Sequence, residues 1–332
     1  MRRRTGFLWV GVLWAAGANA QQYHVVVVEQ GAGRVTVFDA KSGEVRGSVK
    51  VGEEPHEVEL SGDGRTAYVS NYGLSDKSRA IGTPGDSISV VDLTAFKEVR
   101  RLNTEPYKAP HGLKLRPGAP SGEDELYVNV EQSDQMLVYS AVAGKLIRQF
   151  AVPMETHNFI FSGDGKQLIL MAGTSGVVKM DPETGEISAH YKTEGSVRGL
   201  SWIAGEKNLL ASEKNALVIL DSGDLSVVRR IGDLGVGQIV YSAMTPDGVH
   251  ILAPCPLDQK LLVIDAVSGK VERVLTTGKD PIMVRIAPDG RSAFVSNGAD
   301  DHLAMVDLGT FEVRKFGKVD RPNGISFLVL KN

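Results

Sequence analysis

The chain has 332 residues, of which 42% are apolar and 23% are charged, and this composition is that of an ordinary globular protein. Its formal net charge of −3, without any block of basic residues, argues against a protein that binds nucleic acid. The single cysteine, Cys255, excludes an internal disulfide, so we expect side-chain packing to stabilise the fold.

The first 20 residues have the pattern of a secretory signal peptide. Three arginines (residues 2–4) precede an apolar run over residues 5–17, which is too short to span a bilayer comfortably. Ala18-Asn19-Ala20 fits the small-x-small cleavage rule, so we expect a mature chain that begins at Gln21. Loss of the three arginines changes the net charge from −3 to −6. We therefore expect a periplasmic or secreted protein with no membrane span after cleavage, the alternative being an uncleaved anchor.

The rest of the chain repeats one sequence motif seven times. In each copy, apolar residues such as Val58 and Leu60 occupy every second position of a short segment. A turn and a second segment with the pattern of a β-strand follow. A period near 42 residues with this two-residue alternation is typical of four-stranded propeller blades. The second residues of the copies lie 55, 46, 41, 42, 42 and 41 residues apart, and they are His56, His111, His157, Arg198, Val240, Ile282 and Asn323.

Two features of the repeat predict how the blades are built. Six of the seven third strands end in an aspartate, which we interpret as a hairpin residue that accepts backbone N–H groups. These residues are Asp39, Asp92, Asp181, Asp221, Asp265 and Asp307. The last copy supplies only a first strand, whereas the first mature segment supplies strands two to four. We therefore predict an all-β, seven-bladed propeller over residues 21–332, a single domain closed by pairing of its two termini.

The phrases YVSNYG (68–73) and FVSNGAD (294–300), with the recurring PDG turn, resemble YVTN-type β-propeller repeats. The resemblance extends over essentially all of the mature chain. It implies a seven-bladed ring of the superfamily that includes lactonases and heme d1-type electron carriers. Members are often secreted or periplasmic, and many are binding or scaffold modules. No C-x-x-C-H is present, so nothing in the sequence matches a covalent c-type heme site.

The resemblance also implies that the starts of the inner strands and the ends of the second strands gather at one mouth of the central channel. A long loop at 72–86 and the connection 103–110 belong to the same side, which indicates that this face carries the function. The candidate ligand-binding residues at this mouth are His56, His111, His157, Arg198, Asn323, Glu29, Asn71, Glu131 and Glu213.

The three histidines support two interpretations. Imidazole is a common metal ligand, and three imidazoles with a carboxylate suit zinc or copper. Met154 would favour copper if its side chain turned inward. The alternative is that His56, His111 and His157 only satisfy hydrogen bonds between blades.

Two further functions remain open from the sequence. A lactonase-like hydrolase would use His111 or Glu213 as the base that activates water, and Arg198 would stabilise the oxyanion. A protein partner would instead contact exposed aromatic residues, Tyr72 and Tyr107, and the 72–86 loop. We favour a binding module, with a small ligand or a periplasmic protein as its partner, over an enzyme. A closed ring hides its sheet edges, so we expect a monomer.

Overall fold

The computed structural model describes residues 21–75, 78–203 and 205–330, and the predicted signal peptide lies outside these residues. The first three strands are β1 (Tyr23–Glu29), β2 (Arg34–Asp39) and β3 (Val45–Lys50). Blade 1 follows with β4 (Pro55–Leu60), β5 (Thr66–Asn71), the inserted hairpin β6 (Leu74–Ser75) and β7 (Ser78–Gly82), β8 (Ser87–Asp92) and β9 (Lys97–Asn103).

Blades 2 to 4 each contribute four consecutive antiparallel strands. Blade 2 consists of β10 (Pro110–Arg116), β11 (Glu125–Val130), β12 (Gln135–Ser140) and β13 (Leu146–Ala151). Blade 3 consists of β14 (Asn158–Phe161), β15 (Leu168–Met171), β16 (Val177–Met180) and β17 (Ile187–Tyr191). Blade 4 consists of β18 (Val197–Trp202), β19 (Asn208–Glu213), β20 (Ala216–Asp221) and β21 (Val227–Ile231).

Blades 5 and 6 follow the same pattern, and the last strand returns to the first blade of the chain. Blade 5 consists of β22 (Ala243–Met244), β23 (His250–Cys255), a 3-10 turn (Pro256–Asp258), β24 (Lys260–Asp265) and β25 (Val271–Leu275). Blade 6 consists of β26 (Pro281–Ile286), β27 (Ser292–Asn297), β28 (Leu303–Asp307) and β29 (Val313–Phe316). The final strand is β30 (Pro322–Val329).

The termini close the ring in one sheet, as the sequence predicts. Strand β30 pairs antiparallel with β1, with Val25 opposite Phe327 and Val27 opposite Ile325, and the sheet order is β3-β2-β1-β30. This is blade 7. Because the pairing satisfies the backbone groups of β1, the ring has no open junction between its first and last segments. The predicted seven-bladed propeller is confirmed.

Burial depends on the distance of each strand from the channel axis. All six residues of the second strand β11 are buried, whereas four of the six residues of the outer strand β3 are exposed. Neighbouring blades pack through apolar clusters, in which Val26 and Val28 of blade 7 lie with Val58 and Val69 of blade 1. The hydrophobic core is therefore a series of layers between the blades.

The six predicted hairpin aspartates accept backbone N–H groups in the turns that follow them. At Asp92, one carboxylate oxygen accepts from Thr94 N at 2.7 Å and from Ala95 N at 3.0 Å. Hydrogen bonds from the Thr94 side chain and from these amides lower the pKa of this carboxyl group. Their role is structural, as predicted.

A β-bulge near the start of the inner strands directs side chains towards the channel. The register between first and second strands shifts between Pro55 and Val58 in blade 1, and blades 2, 4 and 6 shift at the equivalent position. A bulge adds one residue to one strand and changes the direction of its side chains. Residues 56 and 57 are both buried polar residues for this reason, although strict alternation would place one of them in the apolar layer.

The long loop that the sequence indicates at 72–86 carries secondary structure of its own. It contains the hairpin β6–β7, and its Tyr72 and Leu74 are buried against Ala109 of the next connection. Apolar residues within the loop provide this small core. Among the helices of the described residues, none has the length and apolar character needed to cross a membrane.

Candidate functional site

Three imidazoles from three consecutive blades meet at one mouth of the channel. His56 and His111 are the second residues of β4 and β10, and His157 directly precedes β14. Each offers a ligand nitrogen, and these three atoms all lie within 4.8 Å of one another. The ring centroids are 3.9 Å apart for His56 and His111 and again 3.9 Å apart for His111 and His157. Equivalent positions of the repeat thus form one compact cluster.

The histidine cluster lies below the surface of the mouth. His111 is completely buried and His56 is 5% exposed, whereas the His157 side chain is 16% exposed. The Tyr72 ring packs on two of the imidazoles, with centroid distances of 5.3 Å to His56 and 5.0 Å to His111. The prediction that Tyr72 is an exposed contact residue is therefore wrong, because this ring is 3% exposed and covers the cluster.

A buried carboxylate orients His157. Glu131, one residue after β11, places Oε1 2.5 Å from His157 Nδ1, and Tyr72 donates its hydroxyl proton to Oε2 at 2.6 Å. When the carboxylate accepts the proton on Nδ1, the Nε2 atom of the ring carries the lone pair that can bind a metal ion.

The amide of Asn323 contacts the His56 ring from blade 7. The Asn323 Nδ2 atom lies 2.7 Å from His56 Nδ1. A 180° rotation of the amide exchanges its nitrogen for its oxygen at nearly the same position. In that orientation Oδ1 accepts from Nδ1–H, and the lone pair of the His56 ring lies on Nε2.

Electrostatic surroundings favour a neutral His157. Burial is the largest effect and lowers the pKa of this imidazole, and the positive charge of Arg198 acts in the same direction. The carboxylate of Glu131 opposes the shift without reversing it. A neutral imidazole is the form that binds metals, so His157 has the protonation state that a metal ligand needs at neutral pH.

The cluster opens into a cavity of about 310 Å³ at the channel mouth. Its polar side contains His56, His157 and Arg198, while His111 lies below the surface of the cavity. The remaining wall is formed by Tyr72 of the blade 1 loop and by residues of blades 5 to 7 and their connections, which are Gln238, Val240, Tyr241, Pro256, Leu257, Asp280, Ile282, Met283 and Asn323. The cavity therefore has a polar half, with the histidines and Arg198, and a second half that contains an apolar patch of Val240, Leu257, Ile282 and Met283.

A second polar layer, which the sequence analysis missed, lies next to the histidines. Asn158 donates from Nδ2 to Oε1 of Glu57 at 2.9 Å, and both side chains are buried. The two meet next to Gly112, where a Cβ atom would lie 2.6 Å from Asn158 Oδ1. Tyr241 belongs to the same layer and lines both the mouth cavity and a separate cavity of about 230 Å³. Strict two-residue alternation hides this layer, because the bulge directs consecutive residues towards the channel.

The second-strand residues Glu29 and Asn71 do not line the mouth cavity. Glu29 accepts from Arg34 Nε at 2.7 Å and from the Thr36 hydroxyl. Asn71 accepts from Gly52 N at 2.9 Å. The second strands form the second layer from the axis, so these polar ends lie between blades.

Glu213, the proposed base of the hydrolase alternative, is also bound within the blade. Its carboxylate accepts from the Tyr191 hydroxyl at 2.5 Å and from Arg230 at 3.2 Å. It is completely buried and does not line the mouth cavity. The arrangement therefore does not direct this carboxylate towards a ligand that contacts Arg198.

Two other candidates at the mouth lie outside the site. Met154 is 70% exposed and does not line the cavity, so it supplies no thioether to the histidine cluster. Tyr107 is partly buried, and its hydroxyl accepts from Gln149 Nε2 at 2.9 Å.

Comparison with known proteins supports the fold. No family model matches the sequence, so no such match supports the YVTN assignment. The WD repeat-containing protein AAC3 of Dictyostelium discoideum is 33% identical over 82 residues, which cover 25% of this chain and 17% of that protein. The match thus spans less than one fifth of the length of this curated relative.

Solved structures match nearly the whole chain. Hydrazine synthase of Kuenenia stuttgartiensis superposes with a TM-score of 0.72 at 18% identity, covering 92% of this chain and 100% of that one. A putative 6-phosphogluconolactonase of Bacteroides fragilis gives 0.70 at 15% identity, covering 94% and 99%. Dihydro-heme d1 dehydrogenase NirN gives 0.64 at 16% identity, covering 93% and 76%. Identities this low show the fold alone, and the chain is a seven-bladed β-propeller.

Proposed function

We propose that this protein is an exported binding module that holds one transition metal ion, zinc or copper, between His56, His111 and His157. The observation that carries the proposal is that the three candidate ligand nitrogens lie within 4.8 Å of one another. Tetrahedral zinc with Zn–N bonds of about 2.0–2.1 Å separates its ligand atoms by about 3.3–3.4 Å. Small rotations of the three side chains would therefore bring the nitrogens to bonding distance.

The surroundings of the cluster support the same proposal. Metal-binding histidines usually donate their second ring N–H to a carboxylate or an amide oxygen. Glu131 Oε1 lies 2.5 Å from His157 Nδ1, and the Asn323 amide, whose oxygen replaces Nδ2 after a 180° rotation, lies 2.7 Å from His56 Nδ1. Two of the three rings are thus held by groups of the type that orients metal ligands.

The position of the cluster favours an open metal site. Three protein ligands leave one position of a tetrahedral ion for water or another ligand. Because His56 and His157 line the mouth cavity, that fourth position faces the cavity. Imidazole ligands suit both zinc and copper, and the exposed Met154 adds no preference for copper. Export is supported by the signal-peptide pattern of residues 1–20.

The test is a titration of chelator-treated, tag-free protein with Zn²⁺ and Cu²⁺, followed by calorimetry and thermal unfolding. We expect one ion per chain and a higher Tm, since an ion that binds only the folded state stabilises it. His111→Ala is expected to weaken binding by about 100-fold or more. His250→Ala is the matched control, because it removes a surface imidazole 3.1 Å from Glu272, away from the cluster.

A second variant separates loss of the site from loss of the fold. His56→Gln retains a polar side chain and is expected to keep the wild-type circular dichroism spectrum while it weakens metal binding. Absence of zinc and copper binding by the wild-type protein, or equal binding by wild type, His111→Ala and His56→Gln, would refute the proposal.

A further inference from the structure

We infer that the mouth cavity binds a small monocarboxylate, whose carboxylate is held by Arg198 and whose apolar part packs on blades 5 and 6. The inference rests on the proposed metal site only for a second contact, in which the ion binds the same carboxylate. Three features carry it: the environment of Arg198, the distribution of charge, and the apolar wall.

Arg198 differs in its surroundings from three arginines that lie beside buried glutamates. Arg34, Arg148 and Arg230 each form an ion pair with a buried glutamate, namely Glu29, Glu125 and Glu213 respectively. Arg198 is half-buried, lines the mouth cavity and has no ion pair or side-chain hydrogen bond within the described residues. A guanidinium group partly removed from water is stabilised by a carboxylate, which it binds through two parallel hydrogen bonds.

The backbone fixes Arg198 at this position. The next residue, Gly199, lies against blade 5, and a Cβ atom there would be 2.3 Å from Tyr241 N. Arg198 O also accepts a hydrogen bond from Tyr241 N at 3.0 Å. The guanidinium therefore projects from a strand held by its neighbour, and little conformational freedom of the backbone is lost when a ligand binds.

The charges around the cavity favour an anion with one charge. Arg198 and the proposed metal ion would present two cationic groups on the same side as His157. The carboxylate of Asp280, directly before the first strand of blade 6, also lines the cavity and disfavours a second anionic group beside it. A ligand with one carboxylate, directed towards Arg198 and the histidines, would pair with the cationic groups and place no negative charge beside Asp280.

The apolar wall distinguishes a carboxylic acid from an inorganic anion. At the ring position where blades 1 to 4 carry His or Arg, blades 5 and 6 carry Val240 and Ile282. Leu257 extends this wall and is 71% exposed. The volume of about 310 Å³ is at the lower end of the range of about 300–1,000 Å³ that is usual for ligand pockets. A short branched carboxylate such as isobutyrate fits both the polar and the apolar half.

The test measures binding of sodium isobutyrate by calorimetry, with acetate and inorganic phosphate as comparison ligands, on metal-free and zinc-loaded protein. Arg198→Met is expected to weaken isobutyrate binding by about 10-fold or more, because it removes a charge-assisted pair of hydrogen bonds. Arg285→Met is the matched control, since Arg285 lines the separate cavity of about 230 Å³. Ile282→Ser is expected to weaken binding of isobutyrate more than binding of acetate.

The possible results separate this inference from the metal proposal. Arg198-dependent isobutyrate binding without any metal binding supports the carboxylate site and refutes the metal site. Metal binding without isobutyrate binding supports the metal site and refutes the carboxylate site. Equal isobutyrate affinity in wild type and Arg198→Met, or phosphate binding as tight as isobutyrate binding, overturns the inference.

Discussion

The Oε1 atom of Glu131 lies 2.5 Å from Nδ1 of His157, and the other oxygen of the same carboxylate accepts the Tyr72 hydroxyl. This pair joins blade 2 to blade 3 at the channel mouth. A carboxylate that holds Nδ1 determines which nitrogen of the ring faces a ligand. Glu131 is therefore a positioning residue of the proposed metal site.

Replacing Glu131 tests this positioning role. We expect Glu131→Gln to lower zinc affinity by about 10- to 100-fold, as is usual for the partners of metal-binding histidines. Because the Glu131 charge raises the pKa of His157, its loss lowers that pKa further, so protons compete less with zinc. The pH dependence of zinc affinity is therefore expected to become shallower.

Isothermal titration between pH 5.5 and 7.5 measures both effects of Glu131→Gln. The control is Glu272→Gln, which changes another His–Glu pair, His250 and Glu272, at the surface. Unchanged zinc affinity and an unchanged pH profile in Glu131→Gln would show that Glu131 does not position a ligand.

A second prediction concerns stability of the metal-free protein as a function of pH. Burial lowers the pKa of His157 below its ordinary value of 6.5. As pH falls below about 6.5, the unfolded chain binds this proton and the folded chain does not, so the free energy of unfolding decreases. Above that pH the imidazole is neutral in both states and this contribution is constant.

The variant His157→Gln should remove that part of the pH dependence and keep a donor to Glu131. Urea unfolding at pH 5.0, 6.0 and 7.5 measures the slope, with the exposed His190→Gln as control. If wild type and His157→Gln lose the same stability in acid, His157 is not the cause of this pH dependence.

The repeat pattern predicts the blades and the meeting of the histidines, because equivalent positions of a closed ring must face one axis. It thereby brings together His56, His111 and His157, which follow one another at intervals of 55 and 46 residues in the sequence. The prediction fails for Glu29, Asn71 and Glu213, since the ends of the second strands lie between blades and not in the mouth cavity.

The layer of Glu57, Asn158 and Tyr241 could not be predicted by alternation. A two-residue period assigns residue 57 to the face opposite residue 56, and only the bulge after Pro55 places both towards the channel. One signal was present in the sequence: Gly112 follows His111 at the position that Glu57 and Asn158 occupy in the neighbouring blades.

Gly112 provides a test of this layer. In Gly112→Ala the new Cβ atom would lie 2.6 Å from the side-chain oxygens of Asn129 and Asn158 and would displace the Glu57–Asn158 hydrogen bond. We expect a loss of about 1–3 kcal/mol in the free energy of unfolding, as for other overpacked sites. Gly62→Ala, with open space around its Cβ position, is the control and should change stability by less than about 0.5 kcal/mol. Equal unfolding midpoints for the two variants in urea would contradict the described layer.

Cys255 is expected to be unreactive in the folded protein. The residue is completely buried at the end of β23, and burial raises the pKa of its thiol to about 12. Because the thiolate is the nucleophile, Ellman's reagent should not react at pH 8 until the chain is unfolded with guanidinium. Rapid reaction of one thiol per chain without denaturant would show that blade 5 opens more readily than its packing indicates.

In the proposed function, three histidines of consecutive blades hold one metal ion at the channel mouth. The most direct measurement is anomalous diffraction at the zinc absorption edge from crystals of the mature protein grown with Zn²⁺. We predict one strong peak within about 2.0–2.1 Å of a ring nitrogen of His56, His111 and His157. A peak only at Asp300, Asp301 and His302, the second group of suitable spacing among the described residues, or no peak between the three imidazoles, would show that the histidine cluster does not hold the ion.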